Sequence, residues 1–406
     1  MANARLEATN LLSDSSISAA GAGLLAVFVS YAGPLLIYLS AAEAMGASTA
    51  AFGSWVFAIS MSAGLTSIGL SIWFRVPVAM AWSAPGTVLL IALGASISMQ
   101  EVVGAYLIVA AALIVIGLSG VFQRLVQMLP SAITNGMMAG ILFGFGMKAA
   151  SGLATEPFIV ALLIAAFAIC TVLVPRYAVV ILLGLAFVLV ALSQNTALSS
   201  LDLALADPLL VRPEFSMEAT LGLALPLLIT TLSGQYLPGM SILSANGYTM
   251  SANPVLIVGG LASAASALFG GITTALASIT ASFCAGSNSH PDPDRRYVAG
   301  VACGVVFCIG GLFSGTIVNA LVLLPSAVIA LLAGLALLQP ILKFTTDMLA
   351  SEGAQSGLLT FLITASGLSL LGIGAAFWGV VIGVGFYLLT GLTQKLLHDR
   401  SEGAGR

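Results

Sequence analysis

Two apolar segments of the chain are too short and too irregular to cross a membrane as single helices. They are residues 77–93 (PVAMAWSAPGTVLLIAL) and residues 272–288 (ITTALASITASFCAGSN), and they occupy matching places in the two halves of the chain. Irregular backbone at membrane depth is tolerated only where protein or a water-filled cavity satisfies its polar groups. The pair therefore predicts two broken membrane helices, an arrangement that in transporters marks the substrate site.

The rest of the chain has the composition of a multi-pass membrane protein. Of its 406 residues, 59% are hydrophobic and only 7% are charged, whereas about a quarter of the residues of a soluble domain are charged. Counting apolar stretches of membrane-spanning length gives about fourteen segments. The short pair are the third and the tenth, and the twelfth and thirteenth are expected over residues 319–341 and 356–373.

The basic residues set the expected orientation. If both termini are cytoplasmic, all but two of the twelve basic residues lie inside, and only Lys148 and Arg212 lie outside. Cytoplasmic loops of membrane proteins are enriched in lysine and arginine. The cytoplasmic set would be Arg5, Arg75, Arg124, Arg176, Arg295, Arg296, Lys343, Lys395, Arg400 and Arg406. This distribution supports an even number of spans with both termini cytoplasmic.

A short internal repeat relates the two halves of the chain. Leu129-Pro130-Ser131-Ala132-Ile133 recurs as Leu324-Pro325-Ser326-Ala327-Val328, an offset of 195 residues (324 − 129). The copies begin the fifth and the twelfth segments, so they lie seven segments apart. Because seven is odd, the second copy must enter the membrane from the opposite side. We therefore expect an all-α membrane protein built as two inverted seven-segment repeats.

The two short segments have the residues needed to start a helix inside the membrane. Ser83 is a plausible N-cap, Ala84 and Pro85 would open the first turn, and Gly86 allows close approach to the backbone. The second half-helix is expected to begin near Ser278 and Thr280. Helix starts present free N–H groups and a positive dipole end, so two facing starts would bind an anion without lysine or arginine. The alternative is that these residues only cap or kink ordinary helices.

Other polar residues give weaker signals. Gln235, deep in the eighth segment, would either contact a ligand or form an interhelical hydrogen bond, and Tyr31 would either line the site or simply pack. The map places every acidic residue and both histidines outside the spans. The four cysteines lack CxxC spacing, and no catalytic motif occurs. We therefore expect no disulfide, metal site, cofactor or enzymatic activity, and no nucleic-acid partner.

Four motifs resemble the benzoate:proton symporter family, the BenE-type membrane transporters, over nearly the whole chain. They are AWSAPG at residues 81–86, LPSAITNGMMAGILFGFG at 129–146, SGQYLPGM at 233–240 and CAGSNSHPDPDRRY at 284–297. The last is the most specific, because an HPDP box followed by two arginines and a tyrosine is not a generic membrane pattern. The family is more distantly similar to uracil permeases and sulfate-type anion transporters.

The resemblance implies an architecture and an activity. Segments of a core domain would cover residues 17–122 and 219–316, segments of a gate domain 129–194 and 319–393, and a solvated periplasmic linker 195–218. The protein would import benzoate or a related aromatic carboxylate across the bacterial inner membrane with a proton, and it could assemble as a homodimer. Uracil permeases place carboxylates in the eighth and tenth helices, where this chain has Gln235, Ser278 and Thr280. That departure keeps an uncoupled anion channel or uniporter open as the alternative.

Overall fold

The chain folds almost entirely into helices. A computed structural model describes residues 11–124, 130–150, 156–175, 177–194, 203–370 and 373–403. In chain order the elements are α1 (Leu11–Asp14), α2 (Ile17–Ala32), α3 (Pro34–Ala44), α4 (Thr49–Phe74), β1 (Met80–Trp82), α5 (Ala84–Leu93), α6 (Met99–Ser119), α7 (Ser131–Ala150), α8 (Pro157–Leu173), α9 (Ala178–Gln194), α10 (Met217–Ala245), α11 (Ala252–Ala267), β2 (Thr274–Leu276), α12 (Ser278–Ala285), α13 (Tyr297–Leu312), α14 (Ser314–Val322), α15 (Ser326–Ala350), α16 (Ala354–Ala365), β3 (Ser369–Leu370), β4 (Ile373–Gly374) and α17 (Ala375–Gly403).

Many of these helices have the character of membrane spans. Six are long and apolar enough to cross a bilayer, namely Ile17–Ala44, Thr49–Phe74, Met99–Ser119, Met217–Ala245, Pro293–Leu312 and Ser326–Ala350. Seven further apolar helices in the described part of the chain are shorter. The sequence expectation of a multi-pass membrane protein is therefore confirmed.

Both interrupted segments consist of a short strand followed by a short helix. β1 leads into α5 and β2 leads into α12, and the two strands pair antiparallel with Ala81 opposite Ala275. Two hydrogen bonds extend the pairing, from Ser83 N to Thr273 O (3.0 Å) and from Ala277 N to Ala79 O (3.1 Å). We refer to this paired unit as the ribbon. It gives each broken segment a partner for its non-helical backbone, as membrane depth requires.

Serine hydroxyls from neighbouring helices complete the hydrogen bonding of the ribbon. Ser67 of α4 accepts from Met80 N (2.9 Å) and donates to Met80 O (3.4 Å). Ser263 of α11 does the same for Thr274, accepting from its N (2.9 Å) and donating to its O (3.3 Å). Each serine thus stands where an adjacent strand would be. The offsets are 196 residues for the serines and 194 for their partners, close to the sequence repeat.

Helix α10 contains two widened turns, each placed just before a proline. The π turns Thr220–Ala224 and Leu232–Tyr236 precede Pro226 and Pro238. A proline inside a helix lacks an N–H group and its ring collides with the carbonyl four residues earlier. The wider turn moves that carbonyl away, so the helix continues past both prolines. Gln235 lies in the second π turn, and such turns are frequent at functional sites.

Glycines allow the closest helix contacts. A Cβ on Gly304 of α13 would lie 2.5 Å from the carbonyl oxygen of Gly64 on α4, and one on Gly260 of α11 would lie 2.9 Å from Ala110 O on α6. In α7, a Cβ on Gly140 would lie 2.8 Å from Phe361 O on α16. Small residues at such positions let membrane helices pack backbone to backbone. In the pair α4–α13 and in the pair α6–α11, a glycine of one helix lies against a backbone carbonyl of the other.

Three boundaries differ from the sequence expectation. The twelfth segment, expected over residues 319–341, is α15, which starts and ends later, and α14 precedes it as a separate short helix. The thirteenth, expected over 356–373, ends at Ala365 and is followed by the hairpin β3–β4. Helix α3 extends to Ala44, so Glu43 lies in its last turn rather than outside the span. Leu129 of the repeated motif, together with Arg5, Arg176 and Arg406, lies outside the described residues.

Residues 203–216 of the predicted linker form a segment that lies against the helices, which we call the strap; residues 195–202 lie outside the described residues. The strap is extended, and its backbone is hydrogen-bonded at the same side of four helices, through Ser54 of α4, Gln100 of α6, Leu268 beyond α11 and Leu312 of α13. Its polar composition predicted exposure but could not reveal that backbone groups rather than side chains make these contacts. The side chains of the strap are nevertheless exposed or half-buried, so its role as a solvated linker stays a prediction.

Candidate functional site

The two half-helices start at opposite ends of the ribbon. Because Ser83 pairs with Thr273 and Ala277 with Ala79, the starts are offset by four residues, roughly 13 Å at 3.3 Å per residue. The positive dipole ends of α5 and α12 both point toward the ribbon. The starts therefore face each other along the ribbon and do not meet tip to tip, so a small anion contacts one start at a time.

The start of α5 is closed by its own residues. Ser83 is fully buried, and its Oγ accepts a hydrogen bond from Gly86 N (3.2 Å). Its carbonyl accepts from Thr87 N (3.0 Å), and Pro85 has no N–H group to offer. Ala84 opens the helix as expected. A Cβ on Gly86 would collide with the side chain of Leu227 on α10, so this glycine allows α10 to pack against the helix start.

The start of α12 is open. Its N-cap is Ala277, which has no side chain able to accept a hydrogen bond. The first helical bond runs from Ala281 N to Ala277 O (2.8 Å). Within the described part of the chain, no hydrogen bond uses the N–H groups of Ser278, Ile279 or Thr280. Free donors at a helix start are the standard partners of an anion.

A cavity of about 840 Å³ lies in front of this open start. Helices α10 and α12 form one wall and α7 and α15 form the other. The lining is mostly apolar with several hydroxyl and amide groups, and it consists of Pro130, Ser131, Thr134, Asn135, Ser233, Leu237, Pro238, Ser241, Ile242, Ser278, Ile279, Ser282, Lys343, Phe344 and Asp347. An apolar pocket with few polar groups is typical of small-molecule sites. Of the seven residues predicted from the sequence, Ser278 lines this cavity.

Gln235 has a side-chain amide without a hydrogen-bond partner among the described residues. It is 8% exposed, and no hydrogen bond joins its side chain to any residue that the structure describes. Its neighbours fix its surroundings: Tyr236 donates to Thr274 O (3.3 Å) in the ribbon, and a Cβ on Gly234 would lie 2.7 Å from Met138 Cε on α7. An interhelical hydrogen bond to a described residue is therefore not formed. An amide that is largely buried is costly without a partner, which makes Gln235 a candidate ligand contact, although it is not among the residues that line the cavity.

Tyr31 belongs to a buried aromatic cluster beside the start of α5. Its hydroxyl is 2.8 Å from Ser60 Oγ, and its ring stacks on Trp82 at a centroid distance of 6.0 Å. Phe307 packs edge-on against both rings. Sequence analysis did not identify Trp82, although it directly precedes the N-cap in the AWSAPG motif. Its Nε1 is buried and has no hydrogen-bond partner among the described residues.

The HPDPDRR segment holds the far end of α12. The guanidinium of Arg296 donates to Ala285 O (3.0 Å), the last residue of α12, and also to His290 O (2.7 Å) and Pro291 O (3.3 Å). Asp292 caps the following turn by accepting from Asp294 N (3.0 Å). Burial raises the pKa of Tyr248, whose hydroxyl donates to Pro293 O (2.8 Å). This loop therefore fixes the position of α12 from its C-terminal end.

Comparison with known proteins gives a consistent set of likenesses. Residues 13–389 match the family described as "Benzoate membrane transport protein". The chain is 43% identical over 382 residues to the benzoate membrane transport protein of Acinetobacter baylyi, covering 93% of this chain and 96% of that protein. It is 33% identical to the inner membrane protein YdcO of Escherichia coli, covering 94% and 97%. The fold is similar to that of the murine Solute Carrier 26 family member A9 anion transporter, with a TM-score of 0.69 at 15% identity, covering 95% of this chain and 71% of that one.

Proposed function

Since the chain belongs to the benzoate membrane transport family, we propose that it imports benzoate or a related aromatic carboxylate as a secondary active transporter. Membership of this family makes it a membrane transporter and not an enzyme. Its relatives are bacterial, and one is named an inner membrane protein, which supports a location in the bacterial inner membrane. The orientation with both termini cytoplasmic follows from the basic residues of the loops.

The observation that carries the proposal is the cavity that ends at the open start of α12. The substrate carboxylate would accept hydrogen bonds from the N–H groups of Ser278, Ile279 and Thr280. The amide of Gln235 would donate to it from α10, and the aromatic ring would lie against the apolar wall formed by Leu237, Pro238 and Phe344. A carboxylate brings its own negative charge, so helix donors suffice and no basic residue is needed at this end.

The start of α5 and the aromatic cluster would form the opposite side of the binding region. The Ser83 oxygen accepts a hydrogen bond from Gly86 N. Its hydroxyl hydrogen has no acceptor among the described residues and would be able to donate to a ligand. Leu227 of α10 covers Gly86, so a ligand would reach the backbone of Ala84 and Gly86 only if α10 moves, and Tyr31 would set the position of Trp82 by stacking. In this arrangement the ribbon lies between the start of α12, which faces the cavity, and the start of α5, which closes the site.

Alternating access would arise from movement of the core segments (17–122 and 219–316) against the gate segments (129–194 and 319–393). The cavity lies between α10 and α12 of the first group and α7 and α15 of the second. The paired ribbon, the matching serines Ser67 and Ser263, and the equivalent contacts α4–α13 and α6–α11 support an inverted repeat. If six long helices, seven shorter ones and α12 each count as one segment, they would make the fourteen segments expected from the sequence. A homodimer remains part of the proposal through the family resemblance.

Uptake by purified protein in proteoliposomes tests this function. Labelled benzoate should accumulate above equilibrium when the outside is acidic, and collapsing the pH gradient should abolish the accumulation. Unlabelled benzoate should compete, and an aliphatic acid of similar size should compete less. Failure to transport benzoate or any related aromatic carboxylate would contradict the proposal.

The same experiment separates the second candidate, an uncoupled anion pathway. The lining of the cavity favours that candidate. Among the described residues that line it, the charged ones are Lys343 and Asp347, and these two form an ion pair with each other. An uncoupled pathway would equilibrate benzoate without accumulating it, and its flux would follow the membrane potential rather than the pH gradient.

A further inference from the structure

An ion pair stands on the gate side of the substrate cavity. Lys343 Nζ lies 2.6 Å from Asp347 Oδ2, four residues along α15, and both residues line the cavity whose other wall includes Ser278. Their side chains are 63% and 43% exposed, so the pair lies at the mouth rather than at the closed end. A second cavity of about 770 Å³ adjoins the first and shares Leu237 and Ser241 with it.

The stability of α15 does not explain this pair. Asp347 lies in the last turn of a helix that ends at Ala350, where the exposed carbonyl groups disfavour a negative charge. The order lysine before aspartate is also the weaker orientation for a pair four residues apart. Exposed pairs of this kind contribute little to folding. The position of Asp347 therefore calls for a role in the cavity.

We propose that Lys343 binds the substrate carboxylate transiently at the mouth of the cavity, a site that we call the way station. Asp347 competes with the substrate for the same ammonium group. This inference rests on the proposed function. A carboxylate leaving the start of α12 would exchange its helix donors for the Lys343 ammonium, and Asp347 would then recapture the lysine and release the substrate. Phe344, whose ring centroid lies 6.0 Å from Lys343 Nζ, supplies an aromatic surface beside the charge. The station therefore suits an aromatic carboxylate.

The two charged residues should have opposite effects on binding kinetics. Benzoate association with and dissociation from the purified full-length protein are followed by stopped-flow tryptophan fluorescence at low and high salt. Lys343→Gln should slow association about threefold, the size expected for one exposed charge, and should flatten the salt dependence. Asp347→Asn should speed association and slow dissociation by a similar factor. Lys343→Arg keeps the charge and should retain the wild-type salt dependence.

A matched control removes the same charge elsewhere. Arg212 is exposed on the strap and does not line the cavity, so Arg212→Gln should leave the rates unchanged; an equal slowing would assign the effect to net charge and overturn the way station. Unchanged rates in both cavity variants, or shifts in the same direction, would overturn it as well. If the wild-type protein binds no benzoate, the proposed function fails together with the inference. Thermal unfolding of each variant confirms that the protein compared is folded.

Discussion

At the level of single residues, the two half-helices differ in what precedes them. Ser83 accepts a hydrogen bond from inside α5, whereas Ala277 leaves the donors of α12 without a side-chain partner. A polar N-cap stabilises a helix by satisfying one of its orphan donors. Its absence next to a cavity leaves the donors for a ligand. We interpret this difference as the reason that the carboxylate would bind at α12.

Ala277→Ser should therefore stabilise the protein and weaken substrate binding. The new hydroxyl would accept from the N–H of Ile279 or Thr280 and add about 1 kcal/mol to the free energy of unfolding. The same bond would compete with the carboxylate, so we expect the Kd for benzoate to rise about fivefold, or about 1 kcal/mol. Thermal unfolding and isothermal titration measure the two effects. Ala277→Gly, which adds no acceptor, is the control, and unchanged or tighter benzoate binding in the serine variant would contradict the assignment.

Gln235→Leu should separate binding from folding. The amide has no hydrogen-bond partner among the described residues, so its loss should leave the unfolding temperature unchanged or slightly higher. Loss of one donor to a carboxylate should raise the Kd for benzoate about tenfold, or about 1.4 kcal/mol. Thr220→Val, in the other π turn of α10, removes a hydroxyl bonded to Ser216 O and should not change the Kd. A marked fall in stability with normal binding would show that Gln235 braces the helices instead.

Part of this site could be predicted from residue types. Ser83 was identified as a cap because a serine placed before a helix start is a local pattern. Ala277 was not identified, because a missing polar side chain is no signal in a sequence. Trp82 was also missed, since its stacking on Tyr31 joins residues that are far apart in the chain.

At the level of secondary-structure elements, hydropathy located the helices but not their partners. The existence of broken third and tenth segments could be predicted because proline, serine and threonine interrupt an apolar run. The register of the ribbon could not, because it depends on contacts between residues about 195 positions apart. The contacts of the strap with the helices were missed for a similar reason, since they are made by backbone groups that any sequence provides.

Ser263→Ala tests whether side chains support the ribbon. The substitution removes the side-chain partner of the Thr274 N–H and one of the two donors to its carbonyl, the other being the Tyr236 hydroxyl, in a buried, low-dielectric setting. We expect a loss of about 1–3 kcal/mol in the free energy of unfolding and a fall in benzoate uptake, because β2 positions α12. Ser40→Ala is the control, since that hydroxyl bonds only to Leu36 O within its own helix. Equal effects of both substitutions on thermal unfolding would count against a special role for Ser263.

At the level of the whole molecule, the contacts divide into those within a proposed domain and those between domains. Gly140 of α7 and Thr364 of α16 meet inside the gate segments, where a Cβ on Gly140 would lie 2.8 Å from Thr364 Cβ. Gly234 of α10 and Met138 of α7 meet across the proposed boundary between core and gate. If the core moves against the gate, only the second contact must open during transport.

Cross-linking these two contacts gives opposite expected results. In a chain whose four cysteines are replaced (Cys170, Cys284, Cys303 and Cys308), joining the Met138→Cys/Gly234→Cys pair with a short, reducible bifunctional thiol reagent should abolish benzoate uptake, and reduction should restore it. The Gly140→Cys/Thr364→Cys pair should form its disulfide and retain uptake, because both residues would move together. Uptake is measured in proteoliposomes before and after reduction, and the cross-linked fraction is measured by gel shift after proteolysis between the two cysteines. Full uptake with the Met138–Gly234 pair cross-linked would show that the core and gate segments need not move relative to each other at this contact. Alternating access between core and gate would then have to be abandoned.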